Sequence, residues 1–391
     1  MHAKKLLGFL FFLVAFSSCA SIFQKKPKIQ VSTVNFAVVG DIMVHSTQLR
    51  SAYSSKCSCY NFEPVFAEVK PYLQQADLAI GNLETTLPGK KKLYAGYPLF
   101  GAPDSLAVAL QKSGFNLLTT SNNHSCDTGK LGLENTIQTL DSLAIPHIGT
   151  YREKEYEQKR IFILEKNGIK IAFLSYTYGT NGIRVPKGYR VNLIDKKTIQ
   201  EDIRRAKKKS VDAVAVYYHY GPEYKRLPSK FQKEIVDFAV NEGADIVLGG
   251  HPHVLQPYTL KTVQDKKGNT RDVIIAYSLG NFVSAQHRRY RDGGIIFNFT
   301  LTKKVVTSSA SSNTKITIQA PTYVPVWVYR RYDRSGAHYH ILPVEKYLKN
   351  DQSIKLTKRA YRSMNIFYKD TQTHLQKYSV VAKEESSLSQ R

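Results

Sequence analysis

The chain has 391 residues, of which 42% are hydrophobic and 11% aromatic, and its formal net charge is +25. This length and composition provide for a large buried core and exclude a globally disordered chain. The charge favours anionic partners, although a solvated lysine-rich surface accounts for it equally well. The basic runs lie outside any nucleic-acid-binding motif, so we predict no nucleic-acid partner.

The N-terminus has the features of a secretory signal. Basic residues precede the apolar run Leu6–Phe16, which is too short to span a bilayer, and small residues then lead into Cys19. Cys19 resembles the lipidated cysteine of a bacterial lipobox; an ordinary signal peptide with an unrelated cysteine is the alternative. We therefore expect a lipoprotein-type signal peptide at 1–19, a flexible tether at 20–33 and an extracytoplasmic protein anchored to a membrane of the cell envelope through its N-terminal lipid.

Apolar runs alternate with helical spacings along the chain. We predict strands at 35–40, 77–81, 116–120, 145–149, 169–176, 213–218, 246–249, 273–277 and 294–301, and helices at 62–73, 104–112, 131–143, 198–208 and 230–241. This alternation predicts an α/β fold with parallel strands, in which ligands bind beyond the carboxyl ends of the strands.

The composition changes near Thr302. Alternation of aromatic and polar residues over 322–342 predicts antiparallel strands. We therefore expect a main domain at 34–301, a β-rich C-terminal extension at 302–378 and a disordered tail at 379–391.

Three further cysteines follow Cys19. Cys57 and Cys59 are separated by one residue, which we interpret as a poor geometry for a mutual disulfide. Two interpretations remain open: a disulfide from one of this pair to Cys126, or plain buried thiols.

Six short polar segments lie mostly at the ends of predicted strands. They occupy 40–45, 81–84, 121–124, 218–221, 249–253 and 278–281. Their carboxylate, amide and imidazole groups suit Mn, Fe or Zn rather than a thiolate zinc site. Each residue alone has a plainer interpretation, such as a turn Asp, a surface Glu or a core His, and only their joint recurrence at strand ends favours a metal centre.

The candidate ligands differ in how they would bind a metal. Asp41 would be costly to bury without a cation or strong hydrogen bonds, and Glu84 has two oxygens with which to bridge two metals. His251 and His253, two residues apart in an extended backbone, would point to the same side. The remaining candidates are Asn123, a neutral carbonyl ligand, and His219, which follows a strand.

Other polar residues in these segments suit catalysis or substrate binding. His124 would enter the cleft as an acid or phosphate contact, and Asp127 would accept its second N–H and so select its tautomer. His45 lies beyond the first turn, and we assign it to substrate rather than metal. Asn281, in the sixth segment, is a second candidate substrate contact.

Taken together, these segments resemble the bacterial CapA family. The motifs are Gly40-Asp41, Gly81-Asn82-x-Glu84, Asn122-Asn123-His124-x-x-Asp127-x-Gly129, His219-x-Gly221, Gly250-His251-Pro252-His253 and Ser278-Leu279-Gly280-Asn281-Phe282. That family is named for capsule and poly-γ-glutamate synthesis and is related to calcineurin-like metallophosphoesterases. The similarity extends over about 34–301.

The resemblance implies a four-layer αββα sandwich with a dinuclear metal centre. It places the metal-binding motifs on Asp41, Glu84, Asn123, His219, His251 and His253, and the catalytic histidine on His124. The chain departs from the phosphoesterase pattern at two places. Met43 stands where a histidine is usual, and Glu84 takes the role of a bridging aspartate that the pattern places one residue later in the chain.

Our first functional hypothesis is an envelope hydrolase that activates water with divalent metal ions. We expect two such ions, which would be Mn, Fe or Zn. Its substrate would be an anionic polymer or phosphorylated compound of capsule, poly-γ-glutamate or cell-wall metabolism. The alternative is a non-catalytic envelope lipoprotein that binds, tethers or helps to export an anionic polymer.

Overall fold

The computed structural model describes residues 27–264, 268–308, 311–334, 336–349 and 353–382. The predicted signal peptide with Cys19, the tether up to residue 26 and the tail from residue 383 lie outside the described residues. Within those residues, every helix is too short or too polar to cross a membrane.

The described residues form twenty strands. In chain order they are β1 (Lys28–Ile42), β2 (Tyr53–Ser54), β3 (Cys59–Tyr60), β4 (Leu78–Leu83), β5 (Leu117–Thr119), β6 (His147–Ile148), β7 (Thr150–Arg152), β8 (Phe162–Lys166), β9 (Ile169–Thr177), β10 (Tyr189–Val191), β11 (Ala213–His219), β12 (Ile246–Gly250), β13 (Tyr258–Gln264), β14 (Thr270–Ala276), β15 (Asn281–Val283), β16 (Gly293–Thr307), β17 (Ser312–Ile318), β18 (Thr322–Asp333), β19 (Gly336–Pro343) and β20 (Val380–Ala382).

Ten α-helices accompany these strands. They are α1 (Ser46–Ala52), α2 (Glu63–Phe66), α3 (Lys70–Gln74), α4 (Ser105–Ser113), α5 (Gly129–Ser142), α6 (Tyr156–Lys159), α7 (Lys196–Lys208), α8 (Lys230–Glu242), α9 (Val344–Leu348) and α10 (Lys358–Tyr378).

Most of the strands belong to two large sheets. The first has nine strands, in the order β19-β18-β16-β1-β4-β5-β6, with β15 beside β1 and β17 beside β16. The second has seven, in the order β20-β13-β14-β12-β11-β9-β8. Strands β1, β4, β5 and β6 are parallel in the first sheet, as are β9, β11, β12 and β14 in the second.

Three hydrophobic cores arrange these elements in four layers. One core lies between the two sheets and includes Phe36 of β1 and Leu248 of β12. A second joins the first sheet to α1–α4, and a third joins the second sheet to α7 and α8. Because apolar side chains cover both faces of the central parallel strands, these strands are continuous hydrophobic runs in the sequence. The predicted four-layer αββα fold is confirmed.

The C-terminal segment is continuous with the first sheet. Strand β16 passes through residue 302, where we predicted a boundary, and its residues 297–307 pair with β1. Strands β17, β18 and β19 extend the same sheet. The long helix α10 was not predicted; it packs Met364 and Phe367 against Trp327 of β18.

Two local predictions are wrong. The helix predicted over 62–73 is divided into α2 and α3, because Pro71 occupies the first turn of α3, where its missing N–H costs no hydrogen bond. The disulfide joins Cys57 to Cys59, and Cys126 is a buried free thiol. Ser58, with φ of 52°, turns the chain between the two cysteines and places their Cα atoms 5.1 Å apart, within the range for a disulfide.

We expect Gly40→Ala to destabilise the fold, because a Cβ at this position would clash with the carbonyl oxygen of Gly280. Overpacking of this kind typically costs about 1–3 kcal/mol, and the measurement is the free energy of unfolding in urea. The matched control is Gly179→Ala, since a Cβ there meets no atom within 4 Å. Equal stability of the two variants would contradict this close approach.

Candidate metal centre

The carboxyl ends of strands from both sheets meet at one edge of the sandwich. The first sheet supplies Asp41 near the end of β1, Glu84 after β4 and Asn123 after β5. The second sheet supplies His219 at the end of β11 and the segment His251–His253 after β12. The structure thus brings together all six candidate metal ligands, and all six are buried.

Asp41 is fully buried and hydrogen-bonded on both carboxylate oxygens. Its Oδ1 accepts a bond from Asn82 Nδ2 at 2.9 Å. Its Oδ2 lies 3.0 Å from Nδ1 of His253 and accepts the backbone N–H of His251 at 3.1 Å. Gly250 makes this approach possible, because any Cβ there would collide with Asp41 Oδ1.

Glu84 has a different environment. Its Oε1 is buried and has no hydrogen-bond partner among the described residues. This oxygen lies 3.4 Å from Nε2 of His219 and 3.8 Å from Nε2 of His253. A buried carboxylate oxygen facing two imidazole nitrogens without a good hydrogen bond is the arrangement expected around a cation.

His219 lies between the ligands of the first sheet. Its Nε2 is 2.7 Å from the side-chain oxygen of Asn123, and its Nδ1 is 3.2 Å from Asn82 Nδ2. Since the amide nitrogen of Asn82 donates, Nδ1 accepts and Nε2 carries the proton in this arrangement. Nε2 therefore points to the same space as Asn123 Oδ1 and Glu84 Oε1.

The segment His251–His253 is not extended, in contrast to our prediction. Both histidines have left-handed backbone conformations, with φ of 93° and 56°. The chain turns sharply here, directly after β12 ends at Gly250, and Gly250 itself lies beside Asp41. The two rings still face one site, with centroids 5.8 Å apart, and His251 Nδ1 has no hydrogen-bond partner among the described residues.

Burial and mutual charge shift the pKa values of these groups strongly. Burial and the adjacent Asp41 raise the pKa of Glu84 well above its usual range. Burial also raises the pKa of Asp41, but the hydrogen bond and charge of His253 outweigh it and lower the net value. Burial lowers the pKa of His219 to about 3. Burial by itself would lower the pKa of His253 as well, but the carboxylates of Glu84 and Asp41 raise the pKa of His253 to about 9.

The donor set fits divalent cations. One triad of buried ligand atoms comes from Asp41, Glu84 and His253, and another from Glu84, His219 and His251, with all atoms of each triad within 4.8 Å of one another. Glu84 belongs to both triads. A cation would supply a partner for the orphaned atoms Glu84 Oε1 and His251 Nδ1 and would offset the repulsion between the two carboxylates.

His124 and Asp127 form a hydrogen-bonded pair beside this cluster. His124 Nδ1 lies 2.6 Å from Asp127 Oδ2, which also accepts the backbone N–H of Phe100 at 2.6 Å. The ring of Phe100 packs edge-on against His124 at 4.6 Å between centroids. The pair therefore has a single orientation, in which Nε2 is the ring nitrogen left for a ligand.

The two candidate substrate contacts have structural partners. His45 caps the start of α1, and its Nδ1 accepts the backbone N–H of Ala285 at 3.3 Å. Its ring contacts Phe100 at 5.0 Å, and burial lowers its pKa to about 4. Asn281 is in register with Asp41 on the neighbouring strand and donates to the carbonyl of Arg291 at 2.8 Å.

Two residues of the site were absent from our candidates. Asn82 bonds Asp41, His219 and Asn122, and its place between Gly81 and Glu84 in a quoted motif was the available signal. Glu223 forms a third possible triad with His251 and His253, but it is exposed. Nothing in its local sequence distinguishes it from a surface glutamate.

An arginine and a tyrosine border the centre next to His253. The ring of Tyr224 lies 6.3 Å from that of His253, and the guanidinium of Arg291 stacks on the tyrosine at 3.2 Å. Arg291 forms no ion pair with a described carboxylate, so its charge is free to bind an anion from outside the protein.

We expect replacement of both His251 and His253 by Ala to abolish stoichiometric binding of Mn²⁺ or Zn²⁺, since each triad loses a ligand. The measurement is metal content by elemental analysis after dialysis, compared with His147→Ala, whose imidazole bonds Asp141 and belongs to neither triad. Full metal content in the double variant would contradict this ligand assignment.

Two of the chain's curated relatives are CapA proteins. It is 30% identical over 275 residues to the capsule biosynthesis protein CapA of Bacillus anthracis, a match that covers 67% of this chain and 63% of that protein. It is 28% identical over 239 residues to the PGA biosynthesis protein CapA of Bacillus subtilis (strain 168), covering 60% of each. The matched part thus spans less than two thirds of either relative.

Among solved structures, the chain is similar to the NAD nucleotidase of Haemophilus influenzae, with a TM-score of 0.47, 14% identity and coverage of 91% of this chain and 65% of that one. It is also similar to the calcineurin-like phosphoesterase YfkN of Bacillus subtilis, with a TM-score of 0.43, 14% identity and coverage of 89% and 99%.

The family described as bacterial capsule synthesis protein PGA_cap matches residues 35–286, which contain every ligand of the candidate metal centre. This confirms the resemblance found in the sequence motifs. The chain belongs to the PGA_cap family of bacterial capsule synthesis proteins.

Proposed function

We propose that this protein is a metal-dependent hydrolase of the cell envelope that cleaves an anionic substrate of capsule, poly-γ-glutamate or cell-wall metabolism. The observation that carries the proposal is the pair of buried ligand triads that share Glu84, with the His124–Asp127 pair beside them. Membership of a capsule synthesis family supports the choice of substrate class.

The ligands would hold two divalent ions. Asp41, Glu84 and His253 would bind one, and Glu84, Asn123, His219 and His251 the other, with Glu84 shared between them. Divalent ions bound here would supply a water nucleophile at neutral pH and offset the negative charge that develops on a scissile phosphoryl or carbonyl group during the reaction. Imidazole and carboxylate ligands suit Mn, Fe or Zn.

His124 would act as the general acid. Asp127 accepts its Nδ1–H and stabilises the imidazolium, so Nε2 can donate a proton to the leaving oxygen or nitrogen. The contacts with Phe100 restrict the ring to this orientation before substrate arrives.

Arg291 would bind a negative group of the substrate close to the cleaved bond. The stacking on Tyr224 orders the guanidinium, and the bond from Asn281 holds the Arg291 backbone close to the ligand strand. An ordered guanidinium binds carboxylate or phosphate oxygens in a bidentate manner that lysine cannot reproduce.

The proposed place of action is the outer side of a bacterial membrane, with the lipid on Cys19 as the anchor. The relatives' names connect two members of the family with capsule or PGA biosynthesis, which supports an envelope location. Labelling with a radioactive fatty acid, lost in Cys19→Ser, tests the anchor.

Tethering or export of an anionic polymer without catalysis is the second candidate function. The net charge of +25 favours it. This alternative would be favoured if the metal-loaded protein binds the polymer but hydrolyses neither phosphoesters nor γ-glutamyl bonds.

We expect His124→Ala to lower kcat by about 10²- to 10⁴-fold on a generic phosphoester with Mn²⁺, the range for loss of a general acid. Metal content should not change, because His124 belongs to neither triad. Asp127→Asn should show a smaller loss, since the imidazole remains. A wild-type rate in His124→Ala would refute the assigned role.

We expect Arg291→Gln to raise KM for substrates with a second anionic group by about tenfold, the effect of losing roughly 1.4 kcal/mol of binding. For a substrate without that group, KM should be unchanged. Arg288→Gln is the control, because it removes the same charge from an exposed position of the same loop. Equal effects on both substrates would show that Arg291 does not recognise charge.

A further inference from the structure

A small surface pocket lies between α1, the β2–β3 hairpin and the segment around Tyr94. Its volume is about 320 Å³, at the lower end of the range for small-ligand sites. The residues that line it are Ser46, Leu49, Arg50, Tyr53, Tyr60 and Tyr94. Because half of this lining is tyrosine, we call it the tyrosine pocket.

Two of the three tyrosines are held together by the hairpin. Tyr53 and Tyr60 are directly opposite each other in the β2–β3 pair, and their ring centroids are 5.1 Å apart. The disulfide between Cys57 and Cys59 lies in the connection between these strands. Since so short a hairpin is only marginally stable by itself, this cross-link helps to keep both rings at the pocket.

The rings of the pocket are inclined to one another. The planes of Tyr53 and Tyr60 make an angle of 53°, and those of Tyr60 and Tyr94 an angle of 90° with centroids 5.4 Å apart. A planar nucleobase is best held between parallel rings, whereas inclined rings form a corner that receives the C–H groups on two sides of a puckered pyranose. Tyrosine also offers a hydroxyl beside its apolar ring. The arrangement therefore favours a saccharide over a nucleobase.

The charge at the pocket is positive. Arg50 is exposed in the last turn of α1. Lys91 lies over the ring of Tyr53 at 4.7 Å and donates to its hydroxyl at 3.4 Å. Within the described part of the chain, neither cation forms an ion pair with a carboxylate. Two unpaired cations exclude a quaternary ammonium ligand, which aromatic pockets otherwise suit, and favour a ligand with an acidic group.

The pocket adjoins the metal centre through aromatic contacts. Ser46 lines the pocket and directly follows His45. The ring of His45 packs against Phe100 at 5.0 Å, and Phe100 packs against His124 at 4.6 Å. A ligand in the pocket would thus be separated from the proposed general acid by the side chains of two residues.

We propose that the tyrosine pocket binds an acidic saccharide. One pyranose unit would pack against the rings of Tyr53, Tyr60 and Tyr94, with its acidic group on the guanidinium of Arg50 and a sugar hydroxyl on Ser46. Binding of the saccharide does not depend on the metal centre. That the bound sugar belongs to the hydrolysed substrate rests on the proposed function.

The test measures binding of a fluorescently labelled tetramer of galacturonic acid to the full chain by anisotropy. Physiological salt is used, because it screens the general attraction of anions to a net charge of +25. Maltotetraose and tetraglutamate serve as competitors of equal length. The first has pyranose rings without the charge, and the second has the charge without pyranose rings.

Two double variants are compared with the wild type. The pocket variant is Arg50→Gln with Tyr53→Ser. The control is Arg330→Gln with Tyr332→Ser, which removes an equivalent pair from another surface: the Arg330 guanidinium lies over the Tyr332 ring at 5.1 Å, and that tyrosine is 64% exposed. A single variant, Tyr53→Phe, keeps the ring. Thermal unfolding of all three variants checks that they fold.

We expect the pocket variant to bind the galacturonate tetramer about tenfold more weakly or worse, because it loses one aromatic contact and one charged contact. The control should change by less than about twofold, and Tyr53→Phe should bind like the wild type. Both competitors should be weaker than unlabelled galacturonate. Equal weakening in the two double variants, a similar loss in Tyr53→Phe, or equal competition by either tetramer would overturn the proposal.

The variant that lacks His251 and His253 separates this proposal from the proposed function. It should bind the galacturonate tetramer with wild-type affinity, because the tyrosine pocket contains no metal ligand. Loss of binding there would place the saccharide at the metal centre and overturn the pocket. Absence of hydrolysis with saccharide binding intact would refute only the hydrolase.

Discussion

The burial of Asp41 where the two sheets meet is the constraint on which the rest of the structure depends. A carboxylate in this position is tolerated only with hydrogen bonds and positive charge around it, and it receives them from Asn82, His253 and the backbone of His251. These partners come from both sheets, so the sandwich has to be assembled before the carboxylate is satisfied. Gly250 lies directly beside this contact, where a Cβ would collide with Asp41 Oδ1, and a Cβ on the neighbouring Gly40 would clash with the carbonyl oxygen of Gly280.

Glu84 adds a second buried carboxylate next to the first, and this charge arrangement is what gives the site its chemical character. Two acidic groups in one dry pocket repel each other, and in this chain the result is a raised pKa for Glu84 and a protonated His253 beside it. The same groups become compatible as two carboxylates and neutral imidazoles when divalent cations replace those protons. His219, whose pKa is lowered by burial, is already in the neutral form that binds metals. Glu84 contributes a ligand atom to both triads.

The sequence-based predictions succeeded where local pattern and tertiary structure agree. Buried parallel strands such as β11 and β12 are uninterrupted apolar runs, and their polar ends lie at the edge where the rule for parallel sheets places a ligand. The predictions failed where one residue redirected the chain: Pro71 divides a helical pattern, and Ser58 allows Cys57 and Cys59 to bond to each other. Helix α10 was missed because the alternating pattern before it suggested strands throughout, although Met364, Phe367 and Leu375 have helical spacing.

The sequence by itself determined the α/β class, the family and the identity of the six metal-ligand candidates, because these depend on residue type and on order along the chain. Only the tertiary structure decided how those residues meet. It showed that β16 and the strands after it complete the first sheet, that His251 and His253 reach the site through a turn, and that Asn82 and Arg291 belong to its surroundings. The physical reason is that hydrogen bonds and charge interactions act over a few ångströms in space, between residues as far apart in the chain as Asp41 and His253.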